Sequence, residues 1–217
     1  MISVLISTQP QNCKQIIDLD KIIDVRKTKP NLKIPFKVYI YCTKSELLTK
    51  SHYNGEIYVA WNKKHQNSLE RSGNITLSGK VIGEFICDRI DEINVIDNTT
   101  IACIQVNNKL DLSIAHKTCM ELQKYLNNKT GYGLHISNLV IYDKPKDLSN
   151  FTQLRKTKFG HEPVKIKQPP RSWYYVDDTV YCKNCKHLMF SDFYGECRKG
   201  YKGILNFDDF CDKGELR

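Results

Sequence analysis

Cys182, Cys185, Cys197 and Cys211 constrain this chain more than any other feature of it. The first two form a C-x-x-C pair across Lys183 and Asn184, a turn short enough to aim two sulfurs at one ion, and the other two follow singly with Gly and Asp nearby. Four thiolates at such spacing suit a closed tetrahedral Zn²⁺ site, which leaves no open position for water or substrate. The expected unit is therefore a small zinc-ribbon-like module over residues 177–217, held folded by a structural zinc. His187 and Asp212 lie close enough in sequence to replace one thiolate, and disulfides or free thiols are the alternative to a metal. Disulfides need an oxidising compartment, and the stretch Met1-Ile2-Ser3-Val4-Leu5-Ile6 has no basic region and no long apolar run before Ser7, Thr8 and Gln9. The remaining cysteines, Cys13, Cys42, Cys87, Cys103 and Cys119, are dispersed, several within apolar stretches where a reduced thiol behaves as a small hydrophobe.

The chain of 217 residues, 41% of them hydrophobic, has room for one ordinary domain and a small appendage. No apolar run approaches the roughly 20 residues that a membrane-spanning helix needs, so the expectation is a cytoplasmic protein with no membrane partner. The formal net charge is +9, and its distribution says more than its sum. Residues 177–217 hold seven basic and eight acidic side chains, so the cysteine module is not the basic surface. From Lys21 to Lys44 there are seven basic residues against Asp24 alone, and from Lys144 to Arg171 eight against Asp147 and Glu162. Aromatic neighbours (Phe36, Tyr39, Tyr41; Phe151, Phe159, Trp173) accompany both segments. Such a pattern points to a polyanionic partner, with solvated faces of a basic protein as the plain alternative.

Short β-branched and aromatic segments dominate the first two-thirds: Ile2–Ile6, Phe36–Cys42, Glu56–Trp61, Lys80–Cys87, Ile101–Val106 and Leu134–Tyr142. Two helices are predicted, one near Gln11–Leu19 after Pro10, the other near Ser113–Leu126, where Ala115, Cys119, Leu122 and Leu126 recur on one face. Ser51–Gly79 is polar around its strand, with turn signals at Asn54-Gly55 and Ser72-Gly73-Asn74, and reads as a surface excursion. The order of segments predicts an α+β domain over residues 1–150, a mixed β-barrel with two helices. A basic connector containing Pro169-Pro170 follows over residues 151–176, and Trp173-Tyr174-Tyr175-Val176 within it is too apolar for a free linker and is expected to dock back as a strand or clamp.

Near the start, Ser7-Thr8-Gln9-Pro10, a helix and then Lys21-Ile22-Ile23-Asp24-Val25-Arg26 form a second constellation. Lys21 and Arg26 supply cationic donors, and Asp24 between them accepts from an amide, amine or hydroxyl, a set able to hold a phosphate and a base edge together. A plain surface ion-pair cluster uses the same residue types. Pro10, Lys21, Asp24 and Arg26, followed by Gly79-Lys80-Val81-Ile82-Gly83-Glu84-Phe85 and Gly131-Tyr132-Gly133-Leu134-His135-Ile136-Ser137, resemble the ASCH family of the PUA-like superfamily over roughly Ile2 to Asp143. With the Pro-Pro-x-Ser-Trp stretch and the cysteine-rich tail, the chain is similar to phage and prophage members. Leu19 stands where that family usually has a glycine, and Asp24 where it usually has a glutamate.

The resemblance implies a PUA-like barrel that binds RNA or a modified nucleoside in a groove between the first helix and the barrel. Lys21, Asp24 and Arg26 would form its floor and Gln9 its edge, while the basic segments Lys27–Lys37 and Arg155–Lys167 contact phosphates. Some relatives are implied to cleave RNA, and small ones to hydrolyse the acetyl amide of acetylcytidine with a lysine, a threonine three residues later and a distant glutamate. Lys21 matches that lysine, and Asp24 stands at the threonine position. The alternative reading is thus a hydrolase of ribonuclease or amidohydrolase type using Lys21 and Asp24, with Glu84, Asp88 or His135 as candidate partners. His135, on an apolar strand, also reads as a hydrogen-bonded core histidine. A third reading is a protein-interaction adaptor that docks a protein partner through the zinc module.

Overall fold

The computed structural model describes residues 2–60, 62–98, 101–106, 109–110, 119–157, 160–177, 188–190 and 195–197. Two compact units separate, Ser3–Val176 and a second formed by Asp177–Arg217 with Met1–Ile2. In chain order the elements are β1 (Ile2–Thr8), α1 (Pro10–Ile17), β2 (Ile23–Arg26), β3 (Phe36–Cys42), β4 (Leu48–Lys50), β5 (Ile57–Val59), α2 (Lys63–Arg71), β6 (Ile75–Thr76), β7 (Val81–Cys87) and β8 (Ile90–Asn98). Then follow β9 (Ile101–Val106), β10 (Lys109–Leu110), α3 (Cys119–Leu126), β11 (Gly131–His135), β12 (Ser137–Lys146), β13 (Thr152–Thr157), β14 (Gly160–Lys165), β15 (Trp173–Asp177), β16 (Leu188–Phe190) and β17 (Gly195–Cys197). The fold is mixed α+β and dominated by strands. No helix among the described residues is long and apolar enough to cross a membrane.

One five-stranded sheet runs in the order β12-β7-β3-β1-β15 and another in the order β10-β9-β8-β11-β2. The strand expected at Leu134–Tyr142 is two strands, β11 in the second sheet and β12 in the first, broken at Ile136. At that break the Ile136 N–H donates to the Ile22 carbonyl at 2.9 Å, so the chain keeps its backbone paired while it changes sheet. The chain also changes sheet between β7 and β8, through Asp88 and Arg89.

The first sheet is covered on both faces, which explains why β3 is buried along nearly its whole length. Val4, Ile6, Val38, Ile40 and Phe85 point one way, into a core with Cys13 and Ile16 of α1 and Leu134 of β11. Leu5, Tyr39, Tyr41 and Val81 point the other way, where Ile166, Val176 and Phe151 cover them. The ring of Phe151 meets that of Tyr39 edge-on, with centroids 4.9 Å apart. Of the stretch 151–176, β13 and β14 pair as a hairpin and β15 joins the edge of the first sheet beside β1. Burying one side chain the size of Ile166 contributes about 1.5–3 kcal/mol toward holding this stretch against the sheet.

Among the elements with no counterpart in the sequence reading are α2 and β8. α2 lies inside the polar excursion, capped by the Asn62 side chain, which accepts from the His65 N–H at 2.8 Å, and it buries only Leu69. β8 alternates Ile with Asp, Glu and Asn, too polar to stand out as a strand. In the second unit, β16 and β17 form an antiparallel hairpin that sets Leu188 opposite Cys197.

Candidate ligand-binding site

The site begins where α1 ends. The Asp18 N–H donates to Lys14 O, the Leu19 N–H to Ile16 O and the Lys21 N–H to Gln15 O, winding the chain back on the helix. Leu19 completes that turn in the left-handed region, at φ 61°, with its side chain 68% exposed. This fixes Lys21 two residues before β2. Along β2 the side chains alternate: Ile23 and Val25 enter a core with Ile93, Leu122 and Leu126, and Asp24 and Arg26 share the opposite side. β2 sits close to its neighbour because β11 is Gly131-Tyr132-Gly133 at the contact; a Cβ on Gly133 would lie 2.8 Å from Ile23.

Lys21, Asp24 and Arg26 converge, and they are almost wholly buried at 5%, 2% and 6% exposure. Lys21 Nζ donates to Asp24 Oδ1 at 2.9 Å, and Arg26 Nε donates to Asp24 Oδ2 at 2.5 Å. Arg26 is further engaged through Nη1 to the carbonyls of Ser7 at 2.9 Å and Ser172 at 3.1 Å, and through Nη2 to Thr8 Oγ1 at 3.2 Å. A guanidinium has five N–H donors, and these contacts occupy four, so Arg26 acts mainly as a strut tying β1 and the approach to β15 onto β2. The ammonium of Lys21 has three donors, and among the described residues only Asp24 takes one. Burial pushes the Asp24 carboxyl up, but Arg26 first and Lys21 second outweigh it and hold the group at about 2. Asp24 is therefore ionised throughout the neutral range.

These residues line a cavity of about 450 Å³. Gln9 lines it too: as the N-cap of α1 it makes no side-chain capping bond, and its exposed amide remains available to a ligand. Asn12, Thr43, Ser45, Tyr125 and Pro169-Pro170-Arg171 complete much of the wall. Sequence reading did not single out these residues as the lining of a site, although Arg171 ends a segment counted as basic and Pro169-Pro170 belongs to the Pro-Pro-x-Ser-Trp stretch of the resemblance. Arg171 is exposed and has no ion-pair partner among the described residues. Ser7 Oγ, in the same wall, is buried without a hydrogen-bond partner among the described residues.

The other candidate side chains are engaged elsewhere and do not line this cavity. His135 bonds through Nε2 to the buried carboxylate of Asp91, which also pairs with Arg89 at 3.2 Å. A nitrogen that donates to Asp91 cannot also accept from Arg89, so the guanidinium rests against the ring and its charge faces Asp91. Glu84 accepts from the Tyr142 hydroxyl and pairs with Lys37 at 3.3 Å, and Asp88 accepts from the Ser137 hydroxyl. Of the basic segment 27–37, Lys27 lies over the Tyr125 ring at 5.2 Å and Lys29 over the Tyr132 ring at 5.1 Å. Cys182, Cys185 and Cys211 lie outside the described residues, as do His187 and Asp212, and Cys197 is described only as the last residue of β17. Among the described residues no group of three or more His, Cys, Asp or Glu side chains is placed to hold a metal.

No protein-family profile matches the chain, and no curated protein matches it. Among solved structures it is similar to the crystal structure of ASCH from Zymomonas mobilis, with 14% identity, a TM-score of 0.42, and coverage of 81% of this chain and 88% of that chain. A tyrosine-to-phenylalanine mutant of the same protein matches with 12% identity, a TM-score of 0.42, and coverage of 81% and 91%.

Proposed function

We propose that the Ser3–Val176 unit is an ASCH-type, PUA-like domain that binds RNA or a modified nucleoside in the cavity floored by Lys21, Asp24 and Arg26. The observation that carries this reading is the donor and acceptor set at that floor. Lys21 has two N–H donors beyond its bond to Asp24, and each Asp24 oxygen accepts one bond and retains capacity for another. The volume of about 450 Å³ falls within the range of small-ligand sites. Hydroxyls and amides around it match the edges of a base, Tyr125 offers a ring, and Arg171 meets a phosphate at the rim.

Binding is favoured over hydrolysis by the state of Asp24. A carboxylate held at about 2, with both oxygens already accepting from cations, is a weak general base at neutral pH. Lys21→Ala tests the reading by fluorescence anisotropy with a mixed-sequence RNA hexamer. Affinity should fall at least about tenfold, which corresponds to about 1.4 kcal/mol, with the melting temperature checked in parallel. Unchanged affinity in a folded variant would remove the reading.

For the tail, we propose a structural zinc held by Cys182, Cys185, Cys197 and Cys211. The four-thiolate donor set and the C-x-x-C spacing support it, as does a hairpin that ends on Cys197. One zinc per chain by elemental analysis, released by thiol modification, is the expected result.

A further inference from the structure

The candidate site shares a wall with a second cavity. Thr43 and Pro169 line both, and beyond them lies a space of about 580 Å³. Its lining carries Lys44, Lys165 and Lys167 against a single acid, Asp147, which already pairs with Lys80. The three lysines are exposed and have no ion-pair partner among the described residues.

Their placement is built into the backbone. Ile166, between Lys165 and Lys167, is buried and its N–H donates to Phe151 O at 2.9 Å, so both lysines flank a pinned residue. Lys44 lies across Gly79, which has φ 81°; a Cβ on that glycine would come within 2.5 Å of Lys44 Cε. The two cavities thus differ in chemistry. The first mixes donors and acceptors, as a base edge requires, while the second is cationic and suits phosphate oxygens without regard to sequence.

We infer that the occupant is a single-stranded oligonucleotide rather than a free nucleoside. One base enters the first cavity, and the backbone passes Thr43 and Pro169 so that Lys44, Lys165 and Lys167 neutralise successive phosphates. This rests on the binding function proposed above and adds to it a substrate class, an RNA chain of several nucleotides.

The test uses the whole 217-residue chain and fluorescence anisotropy with a mixed-sequence RNA hexamer, with mixed ribonucleoside monophosphates as competitors. Wild-type protein should bind the hexamer at least about tenfold more tightly than the monophosphates. The triple variant Lys44→Ala, Lys165→Ala, Lys167→Ala should lose that advantage while binding monophosphates unchanged. Its slope of log affinity against log salt should shrink by about two, near 0.7 for each phosphate that a lysine no longer neutralises. Gly79→Ala, which displaces Lys44, should give a smaller loss of the same kind. Lys21→Ala must weaken hexamer binding as well. If Lys21→Ala weakens binding but the folded triple variant matches wild type in affinity and slope, the second subsite is overturned and the proposed function stands. If only the triple variant loses affinity, the base does not occupy the first cavity and the inference fails as stated. If the wild-type protein does not bind the hexamer, both fall.

Discussion

Asp24 and Asp91 are both buried carboxylates that each hold two cationic or imidazole partners, and they sit in strands of the same sheet on either side of β11. Around Asp24 all three charged side chains are buried, one ammonium has unused donors, and a cavity opens above them. Around Asp91 the side chain of Arg89 is 63% exposed, and none of the three residues of this cluster lines either cavity described above. A bridged carboxylate alone therefore says little about function. What separates the two clusters is whether charge is held out of water beside an open space, because that charge strengthens polar contacts to anything that enters.

The sharpest way to break this comparison is to neutralise each acid. Asp24→Asn leaves Lys21 and Arg26 buried with one partner fewer and should cost about 3–5 kcal/mol by chemical denaturation. Asp91→Asn should cost about 1 kcal/mol, since water already reaches Arg89. Equal losses would mean that burial of the partners is not the difference. Acidification probes the same carboxylate with no mutation. The folded pKa of Asp24 lies near 2, below the ordinary 3.8, so its contribution is complete above about pH 4 and is lost as pH falls toward 2. The loss should be about 2 kcal/mol, and it should be absent in Asp24→Asn. The smallest effect concerns the turn that aims Lys21. Leu19 holds a left-handed conformation that disfavours a branched side chain, so Leu19→Gly should raise stability by about 1 kcal/mol in thermal unfolding.

That turn shows how much of the site was legible beforehand. The motif alone raised the significance of position 19, and the backbone there has the conformation a glycine would suit. The grouping of Lys21, Asp24 and Arg26 was legible from the motif and its residue types, and the structure supplies the reason: the last two are two apart on β2, and the turn after α1 brings the first beside them. Strands β3 and β9 were legible because apolar and β-branched residues fill them. α2 was not, since its stability rests on an Asn62 cap and one buried Leu rather than on an apolar stripe.

The role of Arg26 as a strut was also hidden, because its carbonyl partners at Ser7 and Ser172 are far away in sequence and carry no side-chain signature. The connector was legible only in part. Trp173-Tyr174-Tyr175-Val176 was expected to dock back and does so as β15, whereas the Pro-Pro-Arg stretch reads as an extended tether and gives no sign that Ile166 and Phe151, spaced too widely for any period, cover the reverse face of the first sheet. Long-range contacts of this kind decide which cations end up beside a cavity.

The central claim is that the cavity over Asp24, and not the cluster around Asp91, receives the nucleic acid. Binding of a mixed-sequence RNA hexamer to Lys21→Ala and His135→Ala, measured side by side at one salt concentration, tests it most directly. Lys21→Ala should bind at least about tenfold more weakly than wild type while His135→Ala binds as wild type does. Equal affinities in the two folded variants, or a loss confined to His135→Ala, would contradict it.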